Sequence, residues 1–382
     1  MFYQNVQTPV YILEEDKLRK NCEILAKVGE KSGAKVLLAL KGFAFSGAMK
    51  IVAQYLEGST CSGLWEAKFA KEYMDKEIHT YSPAFKEDEI EQIANLSHHI
   101  VFNSLNQFYK FKDKTQENSI GLRCNLEFSI APKELYNPCG KYSRLGIRAK
   151  DLENADLSCV KGLHFHALCE ESAQSLEQVL KVFELKFGKW IKQMQWVNFG
   201  GGHHITKKGY DVEKLIALCQ NFSDKYGVQV YLEPGEAVGW QTGNLVASVI
   251  DIIENEKQIA ILDTSSEAHM PDTIIMPYMS EVLNARNLTT RDNEKISELK
   301  DNEFAYLLTG NTCLAGDVMG EYAFSKKLQI GDKIVFLDQI HYTIVKNTTF
   351  NGVKLPNLML LNTKNELQMI REFSYKDYAL RN

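Results

Sequence analysis

Eight short apolar runs, parted by amphipathic stretches, occupy the first two-thirds of this 382-residue chain. In order they read "KVLLAL", "GSTCSG", "EIHTYSP", "HIVFNS", "SIGLRCN", "VKGLHFHA", "QWVNFGG" and "VQVYLEP". Each has the length of a strand, and most are rich in residues that favour one. Most are followed by a segment with apolar residues at helical spacing: "FSGAMKIVAQYLE", "LWEAKFAKEYMD", "KEDEIEQIANL", "NQFYKFKD", "SLEQVLKVFELKFGKW" and "DVEKLIALCQNFSDKY". The sixth run is preceded by a longer, less regular connection around residues 131–158. Eight strands alternating with helices predict an α/β fold, a closed (β/α)8 TIM barrel. In such a barrel the reactive groups gather at the C-terminal ends of the strands.

After about residue 239 the pattern changes. "NLVASVIDIIENEKQIAILDTS" reads as two strands around a polar turn, followed by "DKIVFLDQ", "HYTIVKN" and "NLMLLNTKNELQMIRE". This predicts a second, C-terminal β-rich domain, sandwich-like or barrel-like, to which the extended "TPVYIL" near the N-terminus would add a strand. The expected boundaries are 15–238 for the barrel and 1–14 plus 239–382 for the β-rich domain. With 45% hydrophobic and 24% charged residues the chain can bury two cores. A net charge of −5 without long basic runs argues against nucleic acid and against an anionic membrane, and for a small-molecule ligand. The N-terminus has no signal-peptide pattern, and no run approaches the ~20 apolar residues that span a bilayer, so a cytoplasmic location is expected. The cysteines, Cys22, Cys61, Cys124, Cys139, Cys159, Cys169, Cys219 and Cys313, show no CxxC spacing, which argues against a disulfide framework or a zinc knuckle.

Why should the aliphatic run "KVLLAL" lead straight to Lys41? Alone, this is a snorkelling surface lysine. In a barrel it shares a mouth with three other strand ends. "LHFH" puts His164 and His166 on one face of the sixth strand. "NFGGGHH" ends the seventh, where Gly200, Gly201 and Gly202 let backbone amides approach an anion. "YLEPG" ends the eighth with Glu233. Singly these read as core histidines, a plain loop without GxGxxG spacing, and an exposed glutamate. Together they supply an amine nucleophile, a flat ring, an anion cradle and a carboxylate. Pyridoxal 5′-phosphate suits all four: a Schiff base to the lysine, glycine amides on the phosphate, an imidazole against the ring, and a carboxylate keeping the pyridine nitrogen protonated. The "HFH" pair also fits the start of a zinc site in a barrel hydrolase. That reading needs further ligands, and His203, His204 and His269 have no partner at a telling spacing, so no metal is expected.

The order Lys41, His166, "GGG", "EPG", "NTCLAGD" and "HYTIVKNTTFNG" resembles the fold-type III pyridoxal-phosphate decarboxylases, which include ornithine, diaminopimelate and arginine decarboxylases. The match spans almost the whole chain. "LHFHALCE", "EAHMPD" and "YTIVKNTTFNG" are similar to the branch of this family that acts on carboxylated polyamines. The resemblance implies that Lys41 tethers the cofactor, His166 stacks on its ring, Gly201, Gly202 and Tyr342 meet its phosphate, and Glu233 pairs with the ring nitrogen. It also implies a homodimer, in which Cys313 of the partner subunit protonates the carbanion carbon, with the β-rich domain contributing to dimer and site. Asp263 matches a substrate-amine position, and Asp317 lies near the dimer interface.

Departures from the family pattern bear on the substrate. Glu236 in "EPGE" stands where relatives carry a phosphate-binding arginine, Leu314 where two relatives carry an acid, and Thr60 where many carry aspartate. Glu236 and Leu314 disfavour ornithine and diaminopimelate and favour a longer polyamine, with Glu236, Asp263, Glu267 and Asp317 as candidates for its amines, while Thr60 leaves the counter-ion of Lys41 unassigned. The expected activity is therefore decarboxylation of a carboxylated polyamine in polyamine biosynthesis. Diaminopimelate or another basic amino acid is the alternative substrate. A binding protein without catalysis is a further reading, against which the retention of Lys41, Glu233 and Cys313 weighs.

Overall fold

A computed structural model describes residues 2–130, 134–290 and 294–382. Part of the long connection expected around residues 131–158, namely 131–133, lies outside the described residues. The chain divides into two compact units. A sheet unit takes the chain up to Leu18, the stretch Ala44–Ala48, and Gly239–Asn382; a barrel unit takes Arg19–Phe43 and Met49–Val238.

The first strand, β1 (Val10–Glu14), belongs to the sheet unit. The barrel is built from β2 (Lys35–Ala39), β3 (Gly58–Cys61), β4 (Glu77–Ser82), β5 (His99–Phe102), β6 (Ser119–Arg123), β7 (Val160–His164), β8 (Trp196–Asn198) and β9 (Gln229–Leu232). They form a closed ring in sequence order with every neighbouring pair parallel. These strands are the eight apolar runs. Parallel strands covered on both faces read as continuous apolar runs, and the burial of β2, β5, β6 and β8 follows that rule. The Trp196 ring fills the interior beside Gly121 and Gly162, where an added Cβ would lie 2.3 Å and 2.0 Å from it. Only glycine leaves room for the indole at these two places.

The strand starts hold a polar cluster. Glu77 Oε1 accepts from His79 Nε2 at 2.8 Å and from the Tyr231 hydroxyl at 2.9 Å, while Oε2 accepts from Lys35 Nζ at 2.7 Å. Burial works to raise the Glu77 pKa, but the His79 and Lys35 contacts outweigh it and hold the carboxyl below the usual range. Burial drives His79 and His99 the other way, His99 to about 2, so both rings stay neutral. Glu77, His79 and His99 are the one trio among the described residues with ligand atoms close enough to share a metal ion. Their rings stack at 3.8 Å and 12°, however, and no single point lies in the planes of two parallel rings, as imidazole coordination requires. The cluster is a polar plug in the barrel floor.

The sheet unit adds β10 (Gly243–Asn255), β11 (Lys257–Leu262), β12 (Ala285–Asn287), β13 (Phe304–Thr309), β14 (Val318–Phe324), β15 (Lys333–Phe336), β16 (Asn357–Leu361) and β17 (Leu367–Arg371). Their order is β12-β14-β13-β11-β10-β1-β16-β17, with β15 also on β10. β1 sits inside this sheet, antiparallel to β10 and parallel to β16, and Val10 and Ile12 pack there with Val246, Val335 and Leu361. The stretch Ala44–Ala48 joins this unit because Gly47 lies against Ile370, where a Cβ would come within 2.8 Å of Cδ1. "HYTIVKN", expected as a strand, instead forms a 3-10 turn at Ile344–Lys346. Side-chain bonds, one within the segment and others to a distant carboxylate, override its apolar alternation: Asn347 donates to Thr343 O at 2.8 Å, and Lys346 reaches both Asp272 oxygens at 2.6 and 2.8 Å. Among the described residues no helix is long and apolar enough to cross a membrane.

Because the folded Glu77 pKa is depressed, its contribution to stability is complete above the unfolded glutamate value of ~4.3 and is lost as pH falls below it. Glu77→Gln should therefore lower stability by about 1–3 kcal/mol at neutral pH. In urea titrations the gap from wild type should close below roughly pH 4.

Candidate active site

Lys41 lies two residues beyond β2, in a turn closed by Gly42 N–H donating to Ala39 O at 3.0 Å. That turn touches the one after β9: a Cβ on Gly42 would lie 3.0 Å from Gly235 C and Glu236 N. Glycine at 42 thus lets the lysine turn and the "EPG" turn meet, which brings Lys41 and Glu233 into one mouth. Lys41 reaches solvent there while being walled in by protein. Enclosure in the barrel, and then Arg123, lower its pKa below the ordinary lysine value, with Glu233 and Glu66 opposing in part. The result is an amine biased toward its neutral, nucleophilic form.

Glu233 is buried at the end of β9. Burial acts to raise its pKa, but His164, His79 and the Asn198 donor outweigh it and hold the carboxyl at about 2. His164 Nε2 stands 3.5 Å from Oε2, and Asn198 Nδ2 donates to Oε1 at 2.7 Å. His166 follows β7. Its Nδ1 accepts the Gly201 amide hydrogen at 3.0 Å, which puts the ring proton on Nε2. Burial, then Lys41 and Arg123, keep the ring neutral by lowering its pKa well below 6.5.

The triple-glycine loop divides its amides. Gly200 donates to Asn198 Oδ1 at 2.8 Å and Gly201 to His166. Gly201 was expected to donate to a phosphate; here its hydrogen is already committed, and it orients the imidazole. The Gly202 amide has no hydrogen-bond partner among the described residues. With φ at +81° and Leu168 O 2.1 Å from any added Cβ, that position needs glycine.

Three groups in the mouth escaped the reading of the sequence. Arg123 ends β6 with its guanidinium over the Tyr81 ring at 4.6 Å and within 3.5 Å of His166 O. As a charged strand-end residue it carried the same signal as Lys41. Asn198 gave no signal, being an ordinary polar residue in "NFGGG". Cys169 lies among acids: burial, then Glu170, Glu236 and Glu171, push its thiol up to about 11. Glu236 Oε1 lies 4.0 Å from His204 Nε2. Glu170, Glu171 and Glu236 give this side of the mouth a cation-attracting rim.

The remaining expected site residues lie in the sheet unit. Cys313 is exposed in the loop before β14, its amide donating to Asn351 Oδ1 at 2.7 Å. Asp317 organises that loop from within: Oδ1 accepts from Ser266 N at 2.7 Å and Oδ2 from Thr312 Oγ1 at 2.6 Å. Asp263 is likewise engaged inside the fold, accepting from Thr8 Oγ1 at 2.6 Å and Ser248 N at 2.8 Å. Both were expected to meet substrate amines, but their oxygens are used in holding the sheet unit together. Glu267 differs, with Oε2 buried and unpartnered among the described residues; burial, then Asp317, raise its pKa. Tyr342 has a left-handed backbone at φ +49°.

The barrel groups fit pyridoxal phosphate by their chemistry. An amine of lowered pKa, a neutral imidazole, a glycine amide with no partner among the described residues and an ionised carboxylate suit an aldehyde, a ring, a phosphate and a pyridinium nitrogen.

Comparison with known proteins agrees. Residues 11–339 match the family model described as pyridoxal-dependent decarboxylase, C-terminal sheet domain. The chain is 87% identical to the carboxynorspermidine/carboxyspermidine decarboxylase of Campylobacter jejuni, covering 100% of each. It is 40% identical to the carboxyaminopropylagmatine decarboxylase of Synechocystis, over 99% of this chain and 96% of that one. A crystal structure of carboxynorspermidine decarboxylase complexed with norspermidine, also from Campylobacter jejuni, superposes with a TM-score of 0.95 at 85% identity, covering 99% of this chain and 100% of that one.

Removing the Asp317 carboxylate strands the Ser266 amide and the Thr312 hydroxyl. Asp317→Ala should lower stability by about 2–3 kcal/mol in urea denaturation.

Proposed function

The chain belongs to the pyridoxal-dependent decarboxylases, and from that premise we propose that it decarboxylates carboxynorspermidine and carboxyspermidine to norspermidine and spermidine, a step of polyamine biosynthesis. The observation that carries this reading is 87% identity over the full length of a decarboxylase named for these two substrates. Leu314 and Glu236, which disfavour ornithine and diaminopimelate, support it.

Pyridoxal phosphate, when bound, supplies an electron sink for the electrons left by the departing carboxylate. Lys41 would hold the cofactor through its amine, whose lowered pKa favours the nucleophilic form. His166, held in one tautomer by Gly201, would present its imidazole to the ring. The Gly202 amide and Tyr342 would hold the phosphate. Glu233 would keep the ring nitrogen protonated, as an ionised carboxylate does for a neighbouring cation. Glu236, with the acidic rim around Cys169, and Glu267 attract the outlying ammonium groups of the substrate. Asp263 and Asp317 act at one remove, by shaping the loops. Cys313 of the partner subunit returns a proton from Sγ to the α-carbon, so the active form is a homodimer with two composite sites. A cytoplasmic setting suits eight cysteines that are all free thiols.

The test is CO2 release by the cofactor-loaded protein, offered each substrate separately. Release from the two carboxylated triamines, with little from diaminopimelate, ornithine, lysine or arginine, is the expected result; preferred release from diaminopimelate would overturn the reading of Leu314 and Glu236. Lys41→Ala should abolish turnover, and substantial residual activity would remove it from the tethering role. Cys313→Ala should slow turnover by about 10²-fold and alter the products. An unchanged rate and product pattern there would transfer the protonation to another group.

A further inference from the structure

Asn198 ends β8 fully buried, with both halves of its amide in use. One half accepts the Gly200 amide hydrogen at 2.8 Å, and the other faces Glu233 Oε1 at 2.7 Å. The orientation is dictated by chemistry. A peptide N–H only donates, so the half facing Gly200 is the carbonyl oxygen and the half facing Glu233 is the NH2. An NH2 at 2.7 Å needs an oxygen with an open lone pair, which the ionised carboxylate offers best, so this donor favours the unprotonated form of Glu233. The backbone closes the same circuit, with Glu233 N–H donating to Gly200 O at 2.8 Å. His164, at 3.5 Å from the other oxygen, is too distant to fix the carboxylate alone.

We propose that Asn198 is a positioning residue: it holds Glu233 as an aimed, unprotonated acceptor and ties it to the triple-glycine loop, so that the carboxylate and the anion cradle behave as one rigid body. The proposal rests on the reading of Glu233 as the partner of the cofactor's ring nitrogen. Asn198 is fully buried with both halves of its amide engaged by protein groups. Its effect passes through Glu233 and Gly200.

Asn198→Asp is the sharpest test, because it keeps the shape and still accepts the Gly200 hydrogen. It replaces the donor facing Glu233 with a second carboxylate oxygen, and two carboxyls at that distance share one proton. Asn198→Ser, which is too short to reach Glu233, provides a second variant should the first lose its fold, and Glu233→Gln is the reference. Each is followed by thermal melting, by equilibrium dialysis of pyridoxal phosphate, and by titration of the bound cofactor's visible absorbance against pH.

Asn198→Asp and Asn198→Ser are expected to stay folded, with a lowered melting temperature, and to retain the cofactor. Their absorbance titrations should move by about one pH unit or more, and kcat should fall about tenfold with KM within roughly twofold. If both variants match wild type in titration and kcat while Glu233→Gln impairs both, Asn198 is merely structural and the proposal is overturned. If Glu233→Gln also matches wild type, the assignment of Glu233 fails, and this inference fails with it.

Discussion

The barrel closes through a short seam. Only two residue pairs, Lys35 with Tyr231 and Val36 with Leu232, join β2 to β9. Everything in the mouth depends on this seam, because Lys41 follows one of these strands and Glu233 the other. A ladder this short gains support from inside. Lys35 and Tyr231, themselves one of the paired positions, both bind the Glu77 carboxylate brought across by β4. The Glu77 carboxylate is partly buried, and withdrawing a charge from water is costly unless its remaining hydrogen bonds are met, as Tyr231 and His79 meet them here. Next to the plug, Trp196 fills the volume that Gly121 and Gly162 leave open.

At the other ends of the strands, the same enclosure sets charge states. Burial favours the neutral form of any titratable group, and Lys41 and His166 yield to it. Glu233 does not, because Asn198 and two histidines outweigh its desolvation. One wall of the mouth is therefore shifted toward neutral, nucleophilic forms while Glu233 stays anionic. Beyond them the acids near Cys169 set the sign of the rim.

Much of this was legible in the residues, and the exceptions share a cause. The eight runs were readable because parallel strands buried on both faces leave continuous apolar stretches between amphipathic helices. Lys41, His166 and Glu233 were readable because strand ends are where a barrel places its chemistry. Arg123 obeyed the same rule and was passed over. "HYTIVKN" looked like a strand because its alternation is local, whereas the bonds of Lys346 and Asn347 that bend it run to distant residues such as Asp272 and His269. β13 and β14 were not read at all, although they pair with each other along six positions.

What the sequence determined by itself was the architecture, the cofactor chemistry and the family, since periodicity and the order of reactive residue types are properties of the chain alone. What only the tertiary structure decided was the division of labour among polar groups. The Gly201 hydrogen belongs to His166, Asp263 and Asp317 support loops, and Asn198 joins Glu233 to Gly200. The physical reason is that a hydrogen bond commits a donor to an acceptor only within about 3 Å, and no spacing along a chain states which groups, dozens or hundreds of residues apart, will meet at that distance.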